Sequence, residues 1–534
     1  MEIEPQCVLL THYFEESLET ISACGILIAQ NWVLTNGSLL KSYYHEPAGR
    51  IMGDYLIKKS GINPGILVVL PEATAQAFKL KIYYSSITES ILKQEIVKEK
   101  SCSVRVAWQC PLLSRTFSQI FSPCKWSFDT PFYVSNNHDN FLRSIFLLLR
   151  VNNGLMVSEE DTNFKEQAWI VLREFHTKYL EPWDVGGVTR GTSVQMESVP
   201  FGSIEFLNSL SRGIVSNVLG DLNCIILSDA IAVPGCEGAP LFIYDPKNAS
   251  RRQICGLVLS TLTWRNGERM DYTFAANLRV CLRKVLRIPD MGANHFPIKS
   301  LPPETVFLQD LLDKCLVEVK CNRDRGTGVV VDVPEGIIIT CAHVVTEACL
   351  NTPIKVRLST MKEDEGVLVR LVYTTRYDKP YDVAVLKLEQ KIENLRALPI
   401  ASNVPAKGTQ VMTSGFSLTQ FPPCSSDGII SRVTSCILQT TCTVQCGDSG
   451  GPIIEPNTGQ MLGLIVSNIA QSTTGSDTEI LYPRFNMSVP ATVLKGPLTK
   501  YINTQVKEYL HDLTSNDPAV LQAWSLYPMQ RSKM

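Results

Sequence analysis

The sequence predicts a mainly β protein made of two tandem copies of one unit. Three observations carry this: apolar runs of strand length separated by glycine, a self-similarity between the two halves, and the composition of an ordinary globular chain. The chain has 534 residues, 45% of them hydrophobic and 19% charged, with a mean hydropathy of +0.04. Such a balance excludes disordered, collagenous and coiled-coil classes. At roughly 150 residues per domain the length allows three or four domains, or two large units of about 250. Fifty basic side chains face 52 acidic ones, a net charge of −2, so the bulk attraction that nucleic acid or an anionic membrane needs is missing and neither is expected as a partner. The densest apolar run, Ile145 to Leu149, is far short of the roughly 18 residues that span a bilayer, so no membrane insertion is expected.

The amino terminus, Met1 to Phe14, lacks a basic segment followed by an apolar stretch and a small-residue cleavage site. A chain that is not secreted keeps its thiols reduced, so most of the 17 cysteines are expected to be structural. Cys442 and Cys446 are four apart, but no second close pair or flanking histidines complete a zinc site, and neither a metal nor a cofactor is expected.

The strongest chemical signal is Gly447-Asp448-Ser449-Gly450-Gly451-Pro452, followed by Ile453-Ile454. Glycines let the backbone turn tightly and aim main-chain N–H groups at one point, where they stabilise an oxyanion. Ser449 is then the nucleophile, and the N–H groups of Gly447 and Ser449 are the expected donors. A serine hydroxyl is a poor nucleophile without a base and a group to orient that base. Upstream, Gly326 to Val331 and Gly336 to Thr340 read as strands, the second leading into Cys341-Ala342-His343. Tyr381-Asp382 opens the apolar run Val383 to Leu386, setting a carboxylate at a strand entrance. Singly, His343 reads as a satisfied structural histidine and Asp382 as a turn residue. Three separate parts of one mechanism falling in the order His343, Asp382, Ser449 favour catalysis.

These segments resemble the trypsin-like serine peptidases, and within them the Deg/HtrA branch, over about residues 310 to 500. The resemblance implies a chymotrypsin/trypsin-like double β-barrel. It also implies a Ser-His-Asp triad of His343, Asp382 and Ser449 and an oxyanion hole at Gly447 and Ser449. Two departures separate the chain from secreted trypsins: no Ile-Val-Gly-Gly offers a new amino terminus, and the residue six before Ser449 is Thr443. Asp448 stands where the Deg/HtrA branch usually has Asn. The roughly thirty residues after Tyr501 leave no room for a PDZ domain.

The first half repeats the second. Cys24 to Ile28 and Trp32 to Leu40 follow the pattern of residues 327 to 345, with Ser38 opposite His343. Arg190-Gly191-Thr192 echoes Lys407-Gly408-Thr409, and Gly213 to Ser216 echoes Gly428 to Ser431. Gly235-Cys236-Glu237-Gly238-Ala239-Pro240 stands opposite the nucleophile motif, with Glu237 in place of the serine. Ala168 to Leu172 is matched with Asp382 to Leu386, which leaves a long insertion after Ser38. With all three positions changed, the first copy is expected to be an inert pseudoprotease. The expected domains are 1–288 for the degenerate unit, 289–304 for a Pro-rich linker, 305–505 for the active unit and 506–534 for a tail, helical from Tyr501 to Trp524.

The tail ends in Ser532-Lys533-Met534, one substitution from the Ser-Lys-Leu peroxisomal address. Tandem trypsin-like units with the first degenerate, no secretion signal and this tripeptide together resemble the peroxisomal and glyoxysomal leader-peptide-processing proteases. That resemblance implies a serine endopeptidase of the peroxisome matrix, imported by the receptor that reads the tripeptide. Its substrates would be imported proteins carrying amino-terminal type 2 presequences, cut commonly after cysteine, including enzymes of fatty-acid β-oxidation. Self-association and self-cleavage stay open, as does the role of the inert unit in docking, inhibition or stabilisation. The rival readings are an HtrA-like quality-control protease and a non-catalytic peptide-binding chaperone.

Overall fold

The computed structural model describes residues 4–13, 20–40, 65–72, 80–87, 95–121, 126–128, 137–152, 163–181, 188–245, 248–261, 263–265, 268–289, 303–350, 352–362, 365–376, 378–418, 422–472 and 479–524. The tripeptide Ser532-Lys533-Met534 and most of the Pro-rich linker lie outside the described residues. The chain divides into two compact units, residues 1–300 and 301–534.

The second unit holds two closed six-stranded antiparallel barrels. One is the ring Leu316–Cys321, Asp324–Asp332, Ile337–Cys341, Val383–Leu388, Val367–Thr374 and Ile354–Arg357. The other is Gln410–Gly415, Cys424–Val433, Leu438–Thr440, Glu479–Pro490, Gln460–Ser472 and Pro452–Glu455. β-branched residues fill the strands, and closure leaves no unpaired edge. In the latter barrel Val411, Ile430, Leu438, Ile453 and Ile465 form the core. The helix Ala491–Thr504 follows the last strand, and the helix Pro518–Trp524 comes after it. Helical structure therefore begins ten residues earlier than the periodicity suggests, because Pro497, which reads as a break, sits inside the first helix.

The first unit repeats this plan. Gln6–Tyr13, Thr20–Ala29, Trp32–Asn36, Ile145–Val151, Glu95–Gln109 and Leu80–Ile87 pair in sequence, and the Glu95–Gln109 strand closes the ring by pairing with both of its neighbours. A second closed barrel contains Ser193–Ser198, Ser209–Leu219, Ile225–Ser228, Thr273–Asn277, Asn248–Ser260 and Pro240–Asp245. Alternation along Gln6–Tyr13 sends Val8 and Leu10 into the first barrel's core and Cys7 and Leu9 against the second's, so both faces of that strand are buried.

The structure corrects one pairing of the repeat. Ala168 to Leu172 lies in the helix Phe164–Phe175, with Ala168, Leu172 and Phe175 on its buried face. Strand register puts Phe146 opposite Asn36, as Val383 stands opposite Cys341, so Ile145 is the counterpart of Asp382. An apolar run spaced for a helix had the composition of a strand.

Candidate active site in the carboxyl-terminal unit

Three elements of the second unit bring the predicted residues together. The strand Ile337–Cys341 ends just before His343, and Cys341 pairs with Val383 across the ladder, which sets Asp382 beside the histidine. Asp382 holds His343 twice: Oδ1 accepts the His343 main-chain N–H at 2.9 Å, and Oδ2 lies 2.5 Å from Nδ1. The Ala342 N–H donates to the Asp382 carbonyl at 2.9 Å. A carboxylate can only accept, so Nδ1 carries the proton and Nε2 is left to accept one. Asp382 is 5% exposed and the His343 side chain 25%, so the pair is shielded while the imidazole reaches the surface.

The nucleophile loop is held by its main chain. Gly447 has φ +97° and Gly450 φ +85°, a region natural to glycine. At Gly450 a side chain is sterically impossible, since a Cβ would lie 2.2 Å from the Thr327 carbonyl oxygen. The N–H groups of Asp448, Gly450 and Gly451 donate to Gln445, Ile465 and Asp448 carbonyls. Among the described residues, those of Gly447 and Ser449 have no acceptor. The hydroxyl of Thr327, buried and unremarked in the sequence, donates to the Gly447 carbonyl at 2.7 Å and accepts from the Phe416 N–H at 2.9 Å. It fixes which way the loop's peptides face.

The Ser449 hydroxyl donates to the Val466 carbonyl at 3.2 Å and not to His343. The structure therefore joins His343 to Asp382 and places the serine loop beside them without closing the last hydrogen bond. Such contacts often tighten only when substrate arrives, and a rotation about the serine Cα–Cβ bond moves Oγ.

Asp448 is fully buried. Its Oδ2 accepts the Gln445 N–H at 2.8 Å, whereas Oδ1 has no hydrogen bond of ordinary geometry. Burial pushes its carboxyl up to about 7, against the opposing pull of the Gln445 N–H and nearby Ser417. Flanking the loop, Thr443 Oγ1, Ser467 Oγ and Asn468 Oδ1 are buried neutral groups with no hydrogen-bond partner among the described residues. Of the fifteen described cysteines fourteen are buried, and the exposed one is Cys446, next to Gly447.

Cys341, His343 and Asp382 place their ligand atoms within 4.8 Å of one another. These are zinc-type donors, but a tetrahedral ion with bonds of roughly 2.0–2.3 Å needs neighbouring ligands more than about 3 Å apart. The 2.5 Å His343–Asp382 approach suits a shared proton instead. The Cys341 thiol is turned away, donating to the Ile465 carbonyl at 3.1 Å, and burial with the Asp382 charge raises it well above its usual range.

The same loop exists in the first unit with different contents. Gly235 and Gly238 have φ +94° and +86°. The Gly238 N–H donates to Val258 as Gly450 does to Ile465, each at 2.8 Å. Cys24 takes the part of Thr327, its thiol donating to the Gly235 carbonyl at 3.2 Å and accepting from the Val199 N–H at 3.3 Å. Asn36 takes that of Cys341, donating to Val258 at 3.1 Å. Ser38 occupies the histidine position and donates weakly to Leu259. Glu237 folds back: Oε2 accepts the Gly235 N–H at 2.9 Å and Oε1 accepts the Thr261 hydroxyl at 2.5 Å. The donor equivalent to Gly447 is thus capped by the loop's own carboxylate.

A trypsin-like peptidase domain family matches residues 326–464. The peroxisomal leader peptide-processing protease of Homo sapiens is 33% identical over 64% of this chain and 61% of its own length. The Mus musculus protein of that name is 31% identical over 70% of this chain and 68% of its own length. With a trypsin-like peptidase domain over residues 326–464 and relatives of this similarity, this chain belongs to the family of the peroxisomal leader peptide-processing proteases.

Proposed function

We propose that the chain is a serine endopeptidase that removes leader peptides from peroxisomal proteins, with Ser449 as nucleophile, His343 as base and Asp382 as orienting carboxylate. The observation that carries this is the loop in which the Gly447 and Ser449 N–H groups lack acceptors, set beside a histidine whose Nδ1 is held by a buried carboxylate. His343 Nε2 takes the Ser449 proton as Oγ attacks the scissile carbonyl, and the two N–H groups stabilise the oxyanion. The intermediate collapses with loss of the amine, which takes its proton from His343. Water, deprotonated by the same imidazole, then releases the acyl half and restores Ser449.

The relatives' name supports the substrate class and the organelle. Type 2 presequences, β-oxidation enzymes, the matrix, and recognition of Ser532-Lys533-Met534 by an import receptor are the finer parts of this reading. The first unit serves as an inert pseudoprotease, because neither Ser38 nor Ile145 can act as base or orienter. A fluorophosphonate probe with peptide mapping tests the proposal. Labelling confined to Ser449, and loss of leader cleavage in Ser449→Ala, are expected. A chain that bound leader peptides but neither reacted nor cut would be a chaperone.

A further inference from the structure

The backbone at the orienting carboxylate is strained. Tyr381 has φ +83° and Asp382 φ +49°, two consecutive non-glycine residues in the left-handed region. Such residues are strained and persist only where their surroundings over-determine them. At their counterparts Ser144 and Ile145 the backbone is ordinary. The unusual conformation occurs in the copy that needs a carboxylate.

Downstream, the restraint is clear: the Thr375 N–H and hydroxyl both donate to the Val383 carbonyl, at 2.8 and 3.0 Å, and the Val383 N–H donates back to Thr375 Oγ1 at 3.1 Å. Upstream, Tyr381 is buried, 6% exposed, and is packed through its ring. That ring meets Trp524 edge to face, centroids 5.6 Å apart at 83°. Trp524, 4% exposed, is itself tied down, its indole N–H donating to the Cys436 carbonyl at 3.0 Å in the turn before Leu438–Thr440. The indole therefore spans from one barrel of the unit to the other behind Asp382. The same tail reaches the approach to this turn again, where Lys379 Nζ donates to Asn516 Oδ1 at 2.6 Å.

We infer that Trp524 is a positioning residue for the reaction: it wedges the Tyr381 ring and so holds Asp382 in the left-handed conformation that aims its carboxylate at His343. The inference rests on the proposed triad. Without the indole, Tyr381–Asp382 relaxes toward ordinary backbone and the carboxylate leaves the imidazole.

The test uses the full chain with Trp524→Ala, Trp524→Leu, which keeps a larger apolar side chain than alanine, and Trp524→Phe, which keeps an aromatic edge. Turnover is measured per active site on a peptide that the wild type cuts, alongside the rate of fluorophosphonate labelling and the low-field proton resonance of His343 Nδ1–H. Trp524→Ala and Trp524→Leu should lower kcat about 10- to 100-fold with KM little changed and lose the resonance, whereas Trp524→Phe should stay within about threefold of wild type. Leu and Ala variants that keep both the resonance and the wild-type kcat per site would overturn the inference, even if their melting temperatures fell. Were the wild type unreactive toward the probe, the proposed function would fall, and the resonance would still decide whether Trp524 holds the pair.

Discussion

The two glycine loops differ in what their N–H groups meet, while the main chain around them is the same. Around Ser449 the Gly447 N–H has no acceptor among the described residues; around Glu237 the matching Gly235 N–H is satisfied by the loop's own side chain. The hydrogen bonds that build the loop, from Gly450 to Ile465 and from Gly238 to Val258, are equal in length. Fold and chemistry thus separate cleanly: closed barrels and positive-φ glycines survive without a nucleophile, and an unneeded anion hole is closed from within, since an orphaned buried donor is costly. A loop that is to receive an oxyanion keeps its donors unsatisfied, whereas a loop without the serine is free to satisfy them.

The largest test of that contrast is Asp382→Asn. The fold should persist, but the amide can no longer hold the Nδ1–H tautomer, and kcat should fall roughly 10⁴-fold. Leader cleavage with purified variant checks this, and a loss below tenfold would remove Asp382 from the mechanism.

Next comes Asp448, which has Cys236 as its counterpart. Its folded carboxyl titrates near 7, above an ordinary 3.8, so the folded state binds the proton more tightly than the unfolded chain. The stability linked to that proton is complete below about pH 4 and is lost as pH rises through 7. Between pH 5 and pH 8 urea denaturation should show wild type losing about 3 kcal/mol relative to Asp448→Asn. Parallel curves for the two proteins would mean the carboxylate is compensated.

Thr327→Val strands the Gly447 carbonyl and the Phe416 N–H, at a cost of about 1–3 kcal/mol in stability and with a lower labelling rate at Ser449. Thr327→Cys, which installs the first unit's solution, should recover most of both.

The smallest effect is Glu237→Ser. Ser38 and Ile145 stand at the positions of His343 and Asp382 in this unit, so no probe labelling at position 237 and no added turnover are expected. Labelling of that serine would show that the first unit keeps a base the geometry does not reveal.

How much of this was legible depended on whether a residue's partner is local in sequence. Ser449 is legible because its own string carries the glycines of its turn, and His343 and Asp382 are legible because they precede it in the order the mechanism uses, each next to an apolar strand. Ser38 falls opposite His343 because Cys24 to Ile28 and Trp32 to Leu40 follow the local pattern of residues 327 to 345. The counterpart of Asp382 is not legible: Ala168 to Leu172 has the composition of a strand but lies on a helix, while Ile145, which opens the matching strand, carries no polar signal. Thr327 gave no signal, because its bonds reach residues 120 and 89 positions away. Trp524 and Tyr381 are equally remote in sequence, and only the closed fold makes them neighbours.

The exposed Cys446 has a practical consequence for anyone assigning a mechanistic class by inhibitor. A maleimide or iodoacetamide meets this thiol before the fourteen sheltered ones, and the adduct forms one residue from the Gly447 amide. Alkylation would then silence a hydroxyl-based enzyme and mimic a thiol-based one, and Cys446→Ser would abolish the blockade while sparing catalysis.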